Sequence, residues 1–253
     1  MTAAAGVRPG AVREAVWRAL GAVRDPELDE PITDLGFVHE LSVHATEQGG
    51  PDSGVRVRLR LPTYFCAPNF AYLMVADAHD AVQELAGVVE VDVALEDHFA
   101  AEEINAGVAA DAGFAGSFPG QATAELDELR RTFRQKAHLA CLDRVYRHLV
   151  EQGWKIDCLA EVRLRDVPES AGRSGLLRRR RDVGLSTDPD ALLVVDEQGR
   201  PVPSAEVARR LRFAKAVRVS VEGNSAFCRG LLTTRYGAGT GETGPAGEER
   251  ERP

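Results

Sequence analysis

The sequence predicts an α+β protein: a small α-β-β-α-β domain with a mixed sheet, followed by a second α+β unit that contains a long helix. Three patterns carry that prediction. Val12, Ala15, Val16, Ala19, Leu20 and Val23 make one apolar stripe at helical spacing. Val55, Val57, Leu59 and Leu61 alternate with Arg56, Arg58 and Arg60, and Val89, Val91, Val93 and Leu95 alternate with Glu90, Asp92 and Glu96, the period of half-buried strands. Leu126, Leu129, Phe133, Ala137 and Ala140 open a third stripe, in a helix that runs roughly over 122–152 and stops at Gly153.

The elements of the first domain follow in order. Asp25-Pro26 ends the first helix, because proline disfavours helical geometry at the residue before it. An irregular stretch from Glu27 to Asp34 closes at Leu35-Gly36 and leads into a first strand with Phe37, Leu41 and Val43 on one face. Thr46 to Gly54 is rich in Gly, Pro, Asp and Ser and reads as a hairpin loop before the arginine-alternating strand. Pro68 stands where helices accept proline, in the first turn, and Phe70, Leu73, Met74, Ala81 and Leu85 supply the stripe behind it. Gly87 stops that helix ahead of the third strand. A strand–helix–strand crossover makes the second and third strands parallel. As neighbours, the Arg face of one meets the acidic face of the other, most simply as a solvated, salt-bridged sheet face.

Beyond this domain the signals weaken. Asn105 to Gln121 is Gly/Ala-rich and reads as a linker. After the long helix, short strands are expected at Ala160–Leu164, Leu192–Val195 and Val217–Val221, with a helix over Ser204–Phe213 capped by Ser204. From Tyr236 to Pro253 the Gly/Glu/Pro-rich composition predicts a disordered tail. The expected division is thus 1–104, a linker at 105–121, a C-terminal unit at 122–235 and a tail at 236–253.

Composition excludes several functions. The chain of 253 residues is 44% hydrophobic with a formal net charge of −8, which fits a packed globular protein and argues against a nucleic-acid partner. No apolar run reaches the roughly 18 residues of a membrane span, and residues 1–10 lack the apolar core of a signal peptide, so a cytoplasmic location is expected. The four cysteines, Cys66, Cys141, Cys158 and Cys228, form no CxxC pair, which speaks against zinc ribbons and dithiol redox centres. His39, His44, His79 and His98 show no zinc-ligand spacing, and Arg178 to Arg181 reads as a solvated basic loop.

Cys66 is the most informative residue. It lies in Leu61-Pro62-Thr63-Tyr64-Phe65-Cys66-Ala67-Pro68, between a strand end and a helix start. Such a position favours thiolate and makes the sulfur a better nucleophile and metal ligand; the alternative is a small buried apolar residue. Asp25, Glu27 and Asp34 flank the first helix end and the first strand, where they either assist a metal or cap turns. Cys141 reads as core, whereas Cys228, in Asn224-Ser225-Ala226-Phe227-Cys228-Arg229-Gly230, is a candidate second ligand.

Taken together, the first helix, Asp25-Pro26-Glu27-Leu28, Pro31-Ile32-Thr33-Asp34-Leu35-Gly36-Phe37-Val38, the alternating strand, Thr63 with Cys66, and Gly87-Val88 resemble the SufT/PaaD-type iron–sulfur assembly domain over about residues 11–96. That resemblance implies delivery of clusters or maturation of metalloproteins, with Cys66 as reactive or ligand residue and Asp25, Glu27, Asp34, Gly36 and Thr63 as the accompanying positions. Ala67 stands between Cys66 and Pro68, where the family places proline directly after the cysteine. The longer form is similar to actinobacterial proteins encoded beside soluble di-iron monooxygenases, which implies such an oxygenase as client.

The resulting expectation is a non-enzymatic assembly factor that binds iron or an iron–sulfur cluster transiently and docks on a client metalloprotein or the assembly machinery. One thiol is too few for a cluster, which wants about four protein ligands. A homodimer sharing thiols, supporting carboxylates, an exogenous thiol or a client-supplied ligand would complete the set. A metal-free chaperone for an apo-oxygenase and an enzyme with Cys66 as nucleophile are the alternatives.

Overall fold

The computed structural model describes residues 9–46, 52–120, 126–155 and 158–237. The chain forms two compact units, one made of residues 1–126 and 225–253 and the other of 127–224.

In the first unit, α1 (Pro9–Leu20) leads to β1 (Val38–Ala45), β2 (Ser53–Arg60), α2 (Pro68–Gln83) and β3 (Val88–Glu96), the expected α-β-β-α-β order. The sheet runs β1-β2-β3, with β1 antiparallel to β2 and β2 parallel to β3. The apolar stripes are the reason. Val12, Val16 and Leu20 of α1, Val55, Val57 and Leu59 of β2, and Ala71, Met74, Val75, Ala78 and Val82 of α2 are all buried in one core. The polar positions of β2 and β3 meet in register on the other face: Arg56 and Arg58 pair with Asp92, and Arg60 with Glu96. The centre of the expected hairpin loop lies outside the described residues.

The stretch expected as a linker instead carries α3 (Ala101–Ala109) and α4 (Gly113–Ser117). Its small residues serve close packing rather than flexibility. A Cβ at Gly107 would stand 1.8 Å from Ser117 Oγ, while Ile104, Val108 and Phe118 join the core.

The second unit holds α5 (Asp127–Glu151), a 3-10 turn (Leu164–Asp166), α6 (Ala171–Asp182) and the first part of α7 (Ser204–Tyr236). Two of the three expected strands shrink to isolated bridges, Arg163 with Leu192 and Val195 with Pro201. The third, Val217–Val221, is helical, because α7 starts at Ser204 as expected but runs far past Phe213. Its buried positions Val207, Leu211, Ala214, Arg218 and Val221 recur at helical spacing while Val219 is exposed. That period overrides the strand preference of three valines. The basic run is likewise no solvated loop: it lies in α6, and Arg180 is only 1% exposed, donating to the carbonyls of Ser186 and Leu193 at 2.7 and 3.1 Å. Cys141 is buried in this unit's core, as expected. The expected tail beyond Gly237 lies outside the described residues.

Candidate functional site

The site is built where the end of β2, the 25–36 loop and the last turns of α7 meet within the first unit. Asp25 is 8% exposed, and its Oδ1 accepts from the backbone N–H groups of Glu27 and Leu28, each at 2.8 Å. Asp29 N donates back to the Asp25 carbonyl and Asp25 N to the Glu30 carbonyl, both at 3.0 Å, closing a turn that Pro26 opens. Burial is the largest effect on Asp25 and pushes its carboxyl up to about 6, against the two N–H bonds. The turn-capping role considered from sequence is thus present in the geometry. Gly36 closes the loop at φ 77°, a left-handed conformation that glycine adopts without strain. Gly87, at φ 80°, does the same before β3.

After β2 the chain passes Leu61 and Pro62 and reaches Cys66, which is half-buried and packs against the domain core. Thr63 Oγ1 lies 3.3 Å from the Cys66 sulfur. Pro68 occupies the first turn of α2 as expected, with Ala67 as the capping residue, so Cys66 stands one position outside the helix. The Cys66 carbonyl accepts from His98 Nε2 at 2.7 Å, and His98 Nδ1 accepts from Ala100 N at 3.2 Å. Those two partners fix a neutral imidazole with its proton on Nε2. Burial, at 5% exposure, holds the His98 pKa below the usual value. Sequence reasoning weighed His98 only as a zinc ligand and missed this positioning role, which no local pattern announces.

Beside the thiol stand three exposed aromatic rings. Tyr64, Phe65 and Phe99 have centroids 5.0 to 6.3 Å apart, and Phe65 is 77% exposed.

The last turns of α7 complete the surround. Ser225 Oγ donates to Glu30 Oε1 at 2.5 Å, and Arg229 pairs with the Glu30 carboxylate and donates to the Asp34 carbonyl. Arg235 donates to the carbonyls of Leu61 and Asp97 at 3.2 and 2.8 Å. Cys228 is half-buried among these contacts, against the same core as Cys66. Burial is the largest effect on its thiol and pushes it up to about 11, and the charge of Asp25 acts in the same direction. Cys66 and Cys228 thus both pack against the core of the first unit, and Asp25 and Glu27 lie in the loop that α7 covers through Glu30. Asp34 stays exposed, its carboxylate beside Thr33 Oγ1 at 3.3 Å. Among the described residues, no three His, Cys, Asp or Glu side chains are grouped so as to hold a metal ion.

Residues 13–93 match the family model described as iron–sulfur cluster assembly protein. An uncharacterized protein of Methanocaldococcus jannaschii is 30% identical over 93 residues, 37% of this chain and 90% of that protein. Residues 13–93 thus form a domain of the iron–sulfur cluster assembly type. The chain also resembles the iron–sulfur cluster carrier proteins of Mycobacterium tuberculosis and Mycobacterium bovis, at 41% identity over 61 residues, 24% of this chain. The match spans only 14% of the length of those carrier proteins. No solved structure matches the chain. The matched segment contains Asp25, Gly36, Thr63, Cys66 and Gly87. Cys228 and His98 lie outside it.

Proposed function

We propose that this protein is a non-enzymatic factor for assembling or maturing iron–sulfur or other metal centres, which holds iron or a cluster transiently as cargo on Cys66 and passes it to a docked client. The observation that carries this reading is the half-buried Cys66 sulfur at the β2–α2 junction of the family-matched domain, touched by Thr63 and with its carbonyl held by His98. A thiolate is a soft donor suited to iron–sulfur cargo. The exposed rings of Tyr64, Phe65 and Phe99 beside it supply the apolar anchors that protein interfaces concentrate. Their position supports client docking next to the thiol.

The client we propose is a metalloprotein, with the di-iron monooxygenase assignment resting on the longer form of the chain. The cytoplasm is the proposed location: all four cysteines are free, and among the described residues no helix is long and apolar enough to cross a membrane.

Anaerobic reconstitution of the full chain with ferrous iron and sulfide, read by visible absorption and iron content, tests the carrier reading. Wild type should take up iron and Cys66→Ser should lose most of it. A wild type that binds no metal leaves the metal-free chaperone reading, and uptake unchanged in Cys66→Ser moves the site elsewhere.

A further inference from the structure

The second unit holds a cavity of about 210 Å³, bounded by α5, the chain just past α6 and α7. Leu139, Val183, Leu185 and Val217 give it apolar walls, and Phe213 lines it while remaining 58% exposed. The charged residues of its lining are Lys136, Glu197 and Arg210, and His138 stands among them.

Among the described residues, three buried side-chain atoms have no hydrogen-bond partner: His138 Nε2, Asp143 Oδ1 and Arg210 Nε. Two of the three belong to residues that line this one cavity. His138 is only 4% exposed, so its ring is shut off from bulk water. Arg210 is anchored through Nη1, which donates to Glu197 Oε1 at 2.9 Å. That pairing leaves Nε–H, a group that can only donate, without an acceptor. An unpaired buried donor costs free energy that a bound acceptor removes.

The lining also sets the chemistry of what fits. Lys136 and Arg210 are two cations against one anion, Glu197, and burial keeps His138 neutral by pushing its pKa down to about 4. The excess of one positive charge selects a monoanion, and the apolar walls select a hydrocarbon body. A phosphate or sulfate would leave several oxygens unpaired against leucine and valine. One carboxylate offers two acceptor oxygens, one for Arg210 Nε–H and one for His138 in its Nε2–H tautomer. At roughly 30 Å³ for each water-sized group, the cavity takes about seven non-hydrogen atoms. We infer that this cavity is a binding site for a short apolar monocarboxylate, gripped by Arg210 Nε and His138 Nε2. The site gives the second unit a ligand of its own and does not depend on the carrier reading of Cys66.

Pentanoate matches that size and charge and serves as the probe. It is titrated into the full chain carrying isotope-labelled Leu and Val methyl groups and His rings, and followed by NMR. Saturable shifts are expected at Leu139, Leu185, Val217 and the His138 ring, with no comparable change from pentanol or inorganic phosphate. Shifts that stay linear in pentanoate and spread over the surface overturn the site without any variant having to fold. Pentanol binding as tightly overturns the anion, and phosphate binding as tightly overturns the apolar carboxylate. Arg210→Lys keeps the charge but removes Nε–H, and should weaken pentanoate at least about tenfold. Unchanged affinity in that variant overturns the Nε contact. None of these outcomes touches the iron-loading test of Cys66, which reads the other unit.

Discussion

Asp25 is the residue at which a capping role and a metal-ligand role make opposite predictions. Its Oδ1 accepts two backbone bonds of 2.8 Å, from Glu27 and Leu28, and its charge is buried. Asp25→Asn keeps an acceptor oxygen for both bonds and removes the charge, whereas Asp25→Ala removes both. At about 1 kcal/mol per net hydrogen bond, Ala should be roughly 2 kcal/mol less stable than Asn at every pH. The charge adds a pH-dependent difference. The folded protein holds the Asp25 proton up to about pH 6, the unfolded chain only to about 3.8, so unfolding releases a proton between those values. This group's contribution therefore falls as pH rises through that window and is constant above it. Its full size is bounded by about two pKa units at roughly 1.4 kcal/mol each, about 3 kcal/mol. Asn lacks this loss, so its advantage over wild type should be near zero at pH 3.5 and grow toward 3 kcal/mol by pH 7. Urea unfolding followed by Trp17 fluorescence, in a Trp154→Phe background that silences the other tryptophan, reads the first unit. An Asn-minus-wild-type difference that is flat with pH, or that shrinks as pH rises, would refute the burial argument. An Asn variant as unstable as Ala would refute the cap. If capping is the whole role, Asp25→Asn should also load iron as wild type does.

Three further outcomes follow from the packing. Asp143 is 0% exposed and accepts from Arg218 Nε at 2.5 Å, so Arg218→Met should cost about 3–5 kcal/mol by stranding a buried carboxylate. Replacing Asp143 with Leu in the same background should restore most of that, and a single-variant loss under about 1 kcal/mol would refute the pairing. Burial and then the nearby Arg180 and Arg210 push His138 down to about 4 from the ordinary 6.5, so its contribution is complete above pH 6.5 and lost as pH falls toward 4, by roughly 3 kcal/mol. His138→Leu should flatten that acid limb in a pH series of urea unfolding, and an unchanged limb counts against it. Gly107→Ala would place a Cβ 1.8 Å from Ser117 Oγ and 3.1 Å from its Cα, so calorimetry should show a lower melting temperature and a loss of roughly 1–3 kcal/mol. An unchanged melting temperature would mean that α4 shifts freely.

The assembly domain was legible because its local patterns and its tertiary environment agree. The alternation in β2 and over Val91, Val93 and Leu95 of β3 has one period whether read from the sequence or from burial, with Val89 exposed at the strand's start, and the strand–helix–strand order left only a parallel pairing. The second unit was misread where the two disagree. Val217, Val219 and Val221 alternate as strand residues do, but the neighbours they bury against repeat at helical spacing, and the segment follows the neighbours. The Gly/Ala stretch looked flexible because smallness at Gly107 means close approach only when Ser117 is known to stand against it. The same limit explains the site. Cys66 was visible beside its strand end and helix start, since those features are local. Cys228 offered only a weak hint, because its meaning depends on Glu30, a contact made through residues 195 and 199 positions away in sequence. No local period encodes such a pairing. A helix expected to stop at Phe213 leaves out the turns that carry Ser225 and Arg229 to Glu30, which the extension of α7 to Tyr236 supplies.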